Sequence, residues 1–352
     1  MGARTRSWPA SQASSVTASR AAPLDLHGRA LASLRLSVTD RCNLRCAYCM
    51  PEEAPAWLPN PRLLDLEELA RLVEAFLLLG VRRVRLTGGE PLLRRGLPAL
   101  VRTLANMPLL EDLALTTNGM LLAEQAELLA LAGLQRVNVS LDTLDPGRFR
   151  ALTRRDGLER VQLGLQCARG AGLAPLKLDT VVIRGRNEDE LVALLRFASS
   201  IGAELRFIEY MDVPPAVQWQ PELVVTRAEM LWRIQRELGP AQEVPGRGSA
   251  PAERFVLPDG TSFGIIASVS RPFCGECDRV RLTADGTLFT CLFGCEGLDL
   301  RTPLRGGASA TELARLVRLR WETRHDRGAE QRGSGAAQSA CGPHARMSVR
   351  GG

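Results

Sequence analysis

The 352-residue sequence predicts an α/β fold built on a parallel sheet. Three observations carry that prediction. Six short apolar runs recur along the first 215 residues: "LRLSVT" (34–39), "VRRVRLT" (81–87), "EDLALTT" (111–117), "RVNVSLD" (136–142), "LKLDTVV" (176–182) and "ELRFIEYM" (204–211). Helical periodicity separates them over 65–79, 121–132, 157–171 and 187–201. Polar, turn-forming residues close five of the six runs, in "TDRCN", "TGGEP", "TTNG", "SLD" and "EYMD". Six βα units with right-handed crossovers make a sheet that either curls into a barrel or stays open. In α/β barrels the chemistry gathers where the strands end.

Local signals place the elements in turn. Asp65 followed by Glu68 marks a helix start, and Asn187 followed by Glu190 marks another. Gly80, Gly133, Gly172 and Gly202 each follow a helix and precede a strand, where a C-terminal cap belongs. After Pro214–Pro215 the pattern changes. Residues 216–305 combine a helix at 226–238 with strand-like runs in "RFVLPDG", "SFGIIASV" and "RVRLTADGTLFTC", where "ADG" (284–286) signals a hairpin. The expected organisation is a leader over 1–30, a βα region over 31–215, a smaller, partly antiparallel region over 216–305, and a helix and tail over 306–352. Residues 1–24 hold Arg4, Arg6 and Arg20, five serines and no acid, as an organelle transit peptide or a disordered leader would. Residues 325–350 read as a loose tail.

Composition narrows the partners. The richest apolar run, "LVEAFLLLGV", is too short to span a bilayer, so no membrane association is expected. A net charge of +6 and a pI near 9.0 suit an anionic partner without identifying it. With 5% aromatic residues and no basic stripe interleaved with them, nucleic-acid binding by stacking lacks support. Lys177 is the only lysine among 45 basic residues. It is either a chance survivor of compositional drift or kept for what a compact ammonium does and a planar guanidinium cannot.

The nine cysteines argue against a disulfide framework and for metal or redox chemistry. Cys42, Cys46 and Cys49 form CxxxCxxC; Cys274, Cys277 and Cys291 form a second set. Cys167 reads as a small core residue and Cys341 lies in the tail. Structural zinc needs four ligands, and neither set has a histidine nearby to complete one. A cubane held by three cysteines leaves one iron open, so two open clusters are expected. Cys295, four residues after Cys291, is an alternative that would close the second. Arg279 and Arg281 alternate along a strand, which puts both on one face.

CxxxCxxC with an aromatic before the third cysteine, on the loop after the first strand, resembles the radical S-adenosylmethionine enzymes. Gly88–Gly89–Glu90–Pro91 after the second strand does too. More narrowly, "LRLSVTDRCNLRCAYCMP", "RLTGGEPLLRR", "TTNG", "VSLDTLD", "RFIEYM", "FCGECDRVRLTADGTLFTCLFG" and Gly351–Gly352 are similar to the GTP 3′,8-cyclases of molybdenum cofactor biosynthesis. The resemblance implies a partial, six-unit TIM-type barrel with a C-terminal cluster-binding region. It implies two 4Fe-4S clusters, the first on Cys42, Cys46 and Cys49 holding S-adenosylmethionine, the second on Cys274, Cys277 and Cys291 holding guanine. Tyr48, Gly89, Ser140 and Met211 would line the cofactor, although Met211 alone would read as a core methionine. At Gly89 the missing Cβ would let the backbone approach a zwitterion closely. Arg35, Arg85, Thr116, Lys177, Arg206, Arg279 and Arg281 would line GTP.

The implied chemistry is hydrogen abstraction from C3′ by a 5′-deoxyadenosyl radical and attack on C8. It needs no catalytic side chain beyond that radical. The implied product, (8S)-3′,8-cyclo-7,8-dihydroguanosine triphosphate, would pass to a cyclic pyranopterin monophosphate synthase. An electron donor such as flavodoxin or ferredoxin is implied, in the cytoplasm or alternatively the mitochondrial matrix, with room for a homodimer. In this family an apolar residue commonly precedes the Gly-Gly; here it is Arg350. Two other readings compete: a peptide-modifying radical enzyme with an auxiliary cluster, and a zinc-binding protein that contacts RNA.

Overall fold

A computed structural model describes residues 22–50, 55–213, 219–333 and 347–350. The leader through residue 21, Pro214–Pro215, Cys341 and Gly351–Gly352 lie outside the described residues. All six expected strands form: β1 (Ser33–Ser37), β2 (Arg83–Thr87), β3 (Asp112–Thr117), β4 (Arg136–Ser140), β5 (Lys177–Val182) and β6 (Glu204–Glu209). Between them run α1 (Leu66–Leu77), α2 (Leu97–Ala105), α3 (Leu122–Leu131), α4 (Pro146–Thr153), α5 (Leu158–Gly170) and α6 (Leu191–Ser200). Each strand pairs in parallel with the next. The leucines and valines of their outer faces pack under the helices into one core.

Helix boundaries follow capping chemistry. Asp65 and Glu68 close a capping box at the start of α1, as expected. Gly80, Gly133, Gly172 and Gly202 all take positive φ, between 67° and 101°. The expected start at Asn187 is wrong, because α6 begins four residues later. The Asn187 side chain is spent elsewhere: its Oδ1 accepts from the Ile183 amide, and its Nδ2 donates to the Asp142 and Val181 carbonyls.

The chain after residue 219 does not build a sheet of its own. It supplies α7 (Arg227–Leu238), β7 (Gln242–Val244), β8 (Glu253–Val256), β9 (Ser262–Ile266), β10 (Arg279–Leu282), β11 (Thr287–Phe289) and β12 (Leu298–Asp299). Among the described residues these complete one 12-stranded sheet, ordered β12-β11-β10-β1-β2-β3-β4-β5-β6-β9-β8-β7. β9 joins β6 and β10 joins β1, both in parallel, while the outermost strands are antiparallel. The sheet curves around a cavity without closing, so the barrel is partial. The "ADG" hairpin links β10 and β11, with Gly286 at φ 83°.

The ends of the chain are less loose than their composition suggests. Asp25 and Arg29, within the expected leader, are buried and ion-paired at 2.6 Å. Beyond α8 (Arg301–Arg305) and α9 (Ala310–Glu322), the expected loose tail contains two short helices, α10 (Gly328–Gly333) and α11 (Met347–Arg350). No described helix is long and apolar enough to cross a membrane.

Candidate active site

Strand alternation aims every second residue of the sheet at one cavity of about 560 Å³. All seventeen residues singled out above line it: Cys42, Cys46, Cys49, Tyr48, Gly89, Ser140, Met211, Arg35, Arg85, Thr116, Lys177, Arg206, Arg279, Arg281, Cys274, Cys277 and Cys291. The cavity reaches further than the strand ends. It descends the inner face to Ser33, Arg83, Asp112 and Arg136 at the opposite edge, which strand-end reasoning did not anticipate.

The first cysteine set hangs on the loop after β1. The Cys49 and Met50 amides turn back onto the Cys46 carbonyl, and the Arg45 and Ala47 amides fasten the loop to the end of α4. Gly88 and Gly89 lie directly beneath. A Cβ on Gly89 would overlap the Arg41 carbonyl oxygen, and one on Gly88 the Thr39 carbonyl oxygen. The close packing of two loops by itself requires glycine at both positions. Glu90 is fully buried and accepts from the Leu92 and Asn118 amides and the Thr117 hydroxyl, joining the β2 and β3 ends. Burial still pushes its carboxyl up to about 7, against those three donors. Asn118 in turn donates to Asn43 Oδ1 at 2.8 Å and reaches Cys42 Sγ at 3.8 Å.

Tyr48 donates its hydroxyl to Asp142 Oδ2 at 2.6 Å, which leaves the ring as the surface offered to the cavity. Desolvation pushes the carboxyl of half-buried Asp142 up to about 6, although Tyr48 and the Val181 amide bond to it. Burial raises the Cys42 thiol to about 11 and lifts Cys46 as well.

The second set is braced from several directions. Arg29 and Arg324 donate to the Cys274 and Cys277 carbonyls, each at 2.7 Å, and share Asp25 behind them. Burial raises Cys277, but Arg279 and Arg324 outweigh it and bring the thiol down to about 7. Backbone amides of Ala329 and Glu330 point at the Cys274 sulfur, and those of Phe293 and Gly328 at the Cys291 sulfur. None of the six thiols is in a disulfide. Among the described residues no three His, Cys, Asp or Glu side chains converge tightly enough for a single ion. Three cysteines whose sulfurs receive backbone N–H groups are a donor set that fits an iron–sulfur cluster.

Between the two sets lies a row of guanidinium groups. Arg281, Arg35 and Arg85 stand side by side in register across β10, β1 and β2. Like charges directly opposite one another are destabilising in a sheet. Burial, then Arg281 and Arg279, depress the Arg35 pKa; burial, then Arg35 and Arg136, bring Arg85 down to about 9. A polyanion relieves that repulsion, and bidentate guanidinium–phosphate pairs are its natural form. Lys177 lines the same cavity from β5, with Nζ 3.1 Å from Glu204 Oε1, and burial and Arg206 lower its pKa. The tail arrives here as well. The Val349 carbonyl accepts from Ser37 Oγ at 2.8 Å and the Arg350 carbonyl from Arg281 Nη1 at 3.3 Å. Arg350, where the family commonly has an apolar residue, is buried with its guanidinium 4.2 Å from the Phe289 ring centroid.

Sequence reasoning missed several neighbours. Asp142, Asn118, Asn138, Asp179, Arg324 and the amides of residues 328–330 belong to the site. For Asn138 a signal existed, since it is a polar residue at an inward position between Val137 and Val139; Asp179 shares the inward alternation of Lys177 on its strand.

An open parallel sheet carrying CxxxCxxC above a double glycine defines a radical S-adenosylmethionine enzyme, and residues 36–198 match the radical SAM superfamily. Residues 203–330 match the molybdenum cofactor synthesis C-terminal family. The GTP 3′,8-cyclase 1 of Mycobacterium tuberculosis is 48% identical over 339 residues, 92% of this chain and 94% of that one. The GTP 3′,8-cyclase of Streptomyces coelicolor is 49% identical over 84% of this chain and 88% of its own. This chain belongs to the GTP 3′,8-cyclase family. Its fold is also that of Streptococcus suis SuiB bound to S-adenosylmethionine, at a TM-score of 0.59 and 13% identity, over 82% of this chain and 69% of SuiB.

Proposed function

We infer that this chain converts GTP to (8S)-3′,8-cyclo-7,8-dihydroguanosine triphosphate, the first step of molybdenum cofactor biosynthesis. One observation carries the reading: two three-cysteine sets and an in-register arginine row face a single cavity. Cys42, Cys46 and Cys49 hold one 4Fe-4S cluster; Cys274, Cys277 and Cys291 hold a second. When bound, the first supplies the electron that cleaves S-adenosylmethionine to a 5′-deoxyadenosyl radical.

The chain's own work is binding and orientation. Tyr48 offers its ring to the adenine, while Gly89, Ser140 and Met211 line the rest of the cofactor. Arg35, Arg85, Arg279, Arg281, Lys177 and Arg206 fix the triphosphate, with Thr116 beside Arg85. An anchored triphosphate and a guanine held at the second cluster leave the ribose in one pose, so that C3′ and C8 meet without a search. A flavodoxin- or ferredoxin-type donor delivers the electron in the cytoplasm, and a cyclic pyranopterin monophosphate synthase takes the product.

Anaerobic incubation with GTP, S-adenosylmethionine and dithionite tests this. 5′-Deoxyadenosine and a cyclised nucleotide are expected only when GTP is present. Cofactor cleavage indifferent to GTP defeats the substrate assignment. Lys177→Arg, which keeps the charge, is expected to weaken GTP binding; wild-type affinity there returns Lys177 to chance survival.

A further inference from the structure

Where β4 and β5 meet, the cavity wall carries a carboxylate and an amide among its cations. There Asn138 and Asp179 both face inward, and the Asn138 amide Nδ2 donates to Asp179 Oδ2 at 2.9 Å. That bond points the amide NH2 at the carboxylate and turns Asn138 Oδ1 away from it. Asn138 is 1% exposed, yet its Oδ1 has no donor among the described residues, and neither has Asp179 Oδ1. Arg206 Nη1 stands 4.0 Å from that carboxylate oxygen, outside hydrogen-bond reach. Buried acceptors without donors are few in native proteins, and two on adjoining side chains in a binding cavity point to a ligand that brings donors.

A nucleoside triphosphate brings few. Its phosphates only accept, so the donors are the ribose hydroxyls and the guanine N1–H and amino groups. Register separates these. Asn138 lies between Thr116 and Lys177, and Asp179 between Ser140 and Arg206. Three of those four neighbours are assigned to GTP and the fourth, Ser140, to S-adenosylmethionine. The pair therefore sits on the nucleotide where it borders the cofactor, and the border is where the reacting sugar carbon must lie. Guanine, held at the second cysteine set, faces away from it.

We propose that Asn138 and Asp179 accept hydrogen bonds from the ribose hydroxyls of the nucleotide substrate and so select a ribonucleotide over its deoxy counterparts. The inference rests on the reading that GTP binds this cavity. Carboxylates recognise ribose hydroxyls in the same way at dinucleotide sites. Held by its hydroxyls, the sugar presents one fixed face to the radical source. Asp179 also tempers the charge of Arg35 and Arg85. A purely electrostatic role, however, gives no reason for the bare amide oxygen beside it.

The test is anaerobic equilibrium binding of GTP, 2′-deoxy-GTP, 3′-deoxy-GTP and S-adenosylmethionine to the cluster-loaded protein. Wild-type protein is expected to favour GTP over each deoxy analogue by roughly tenfold to a hundredfold, as for hydrogen bonds to charged groups. In Asp179→Ala that preference should shrink several-fold, with S-adenosylmethionine binding unchanged. A common shift for all three triphosphates reports the altered charge; only the ratios report the hydroxyls. Asn138→Ala gives an independent reading should Asp179→Ala fail to load its clusters. A wild-type ratio near one, or ratios untouched by both variants, overturns the proposal. So does weakened S-adenosylmethionine binding with the ratios intact, since the pair would then hold the cofactor's ribose. Tight GTP binding without hydroxyl discrimination sinks this proposal alone, whereas failure to bind guanine nucleotides at all sinks the GTP reading and the proposal with it.

Discussion

The two cysteine sets share a ligand count and a cavity, yet they are built by opposite means. The first occupies eight consecutive residues on one loop, fastened by its own backbone to the end of α4. The second spans residues 274–291 and is braced by Arg29 near one chain end, by Arg324, and by amides of α10 near the other. Burial raises thiols in both sets, Cys42 and Cys46 as well as Cys274 and Cys291, and Cys277 is the one that departs. Burial leaves Cys42 raised to about 11, while two guanidinium groups bring Cys277 down to about 7. A local loop makes a portable site; a site assembled from distant segments ties its metal to the integrity of the whole fold.

The sharpest way to break that contrast is to remove one set at a time. Cys46→Ser should lose one cluster's iron and all cleavage of S-adenosylmethionine. Cys277→Ser should lose the other cluster's iron, still bind S-adenosylmethionine, and cyclise nothing. Iron per chain and 5′-deoxyadenosine yield are the measurements, and loss of cofactor binding in Cys277→Ser would show that the sets are not separable. Next in size is Arg324→Ala, which takes a partner from buried Asp25 and a donor from the Cys277 carbonyl. It should lower unfolding stability by about 3 kcal/mol. Iron at the second set should fall while the first keeps its own, read by iron content and thermal melting.

Glu90 probes the support under the first set. Its folded-state carboxyl titrates near 7, above the ordinary 4.5. A raised carboxylate pKa gives stability that is full below the ordinary value and is lost as pH rises through about 7. Unfolding free energy should therefore fall between pH 5 and 8 by on the order of 2 kcal/mol from this group. Glu90→Gln cannot ionise and should lack that component; an unchanged pH profile in denaturant titrations would remove Glu90 as its source. The smallest effect is expected from Gly328→Ala, whose Cβ would stand 2.9 Å from Cys291 Sγ and 2.8 Å from Phe293 Cβ. A cost of about 1–2 kcal/mol and weakened iron retention at the second set follow. Gly170→Ala, with open space at its Cβ, is the control.

The same contrast explains what could be read in advance. The six parallel strands, the CxxxCxxC loop and the double glycine are written in contiguous residues whose spacing and periodicity carry their meaning. The α10 amides at Cys274 and Cys291 are backbone groups inside a Gly-, Ala- and Arg-rich stretch, and backbone leaves no mark in side-chain pattern. Asn187 misled because an asparagine that caps a helix and one that ties a loop look alike in sequence. The packing reason for Gly89 could not be read in advance, because its neighbour across the gap, Arg41, belongs to a different strand-end loop.

The placement of β9 and β10 has a consequence for how the molecule is made. Both outer edges of the six-strand sheet are covered by strands from the last third of the chain, and Arg35 meets its partner Arg281 only after nearly the whole sequence has left the ribosome. Until then β1 and β6 each present a row of unsatisfied backbone groups, the kind of edge that pairs with whatever strand comes first. Such late, long-range pairing makes for slow assembly and exposed intermediates. A nascent chain stalled or truncated before β9 would be a sheet with two raw borders, and its hazard would be self-association long before any question of metal or substrate arose.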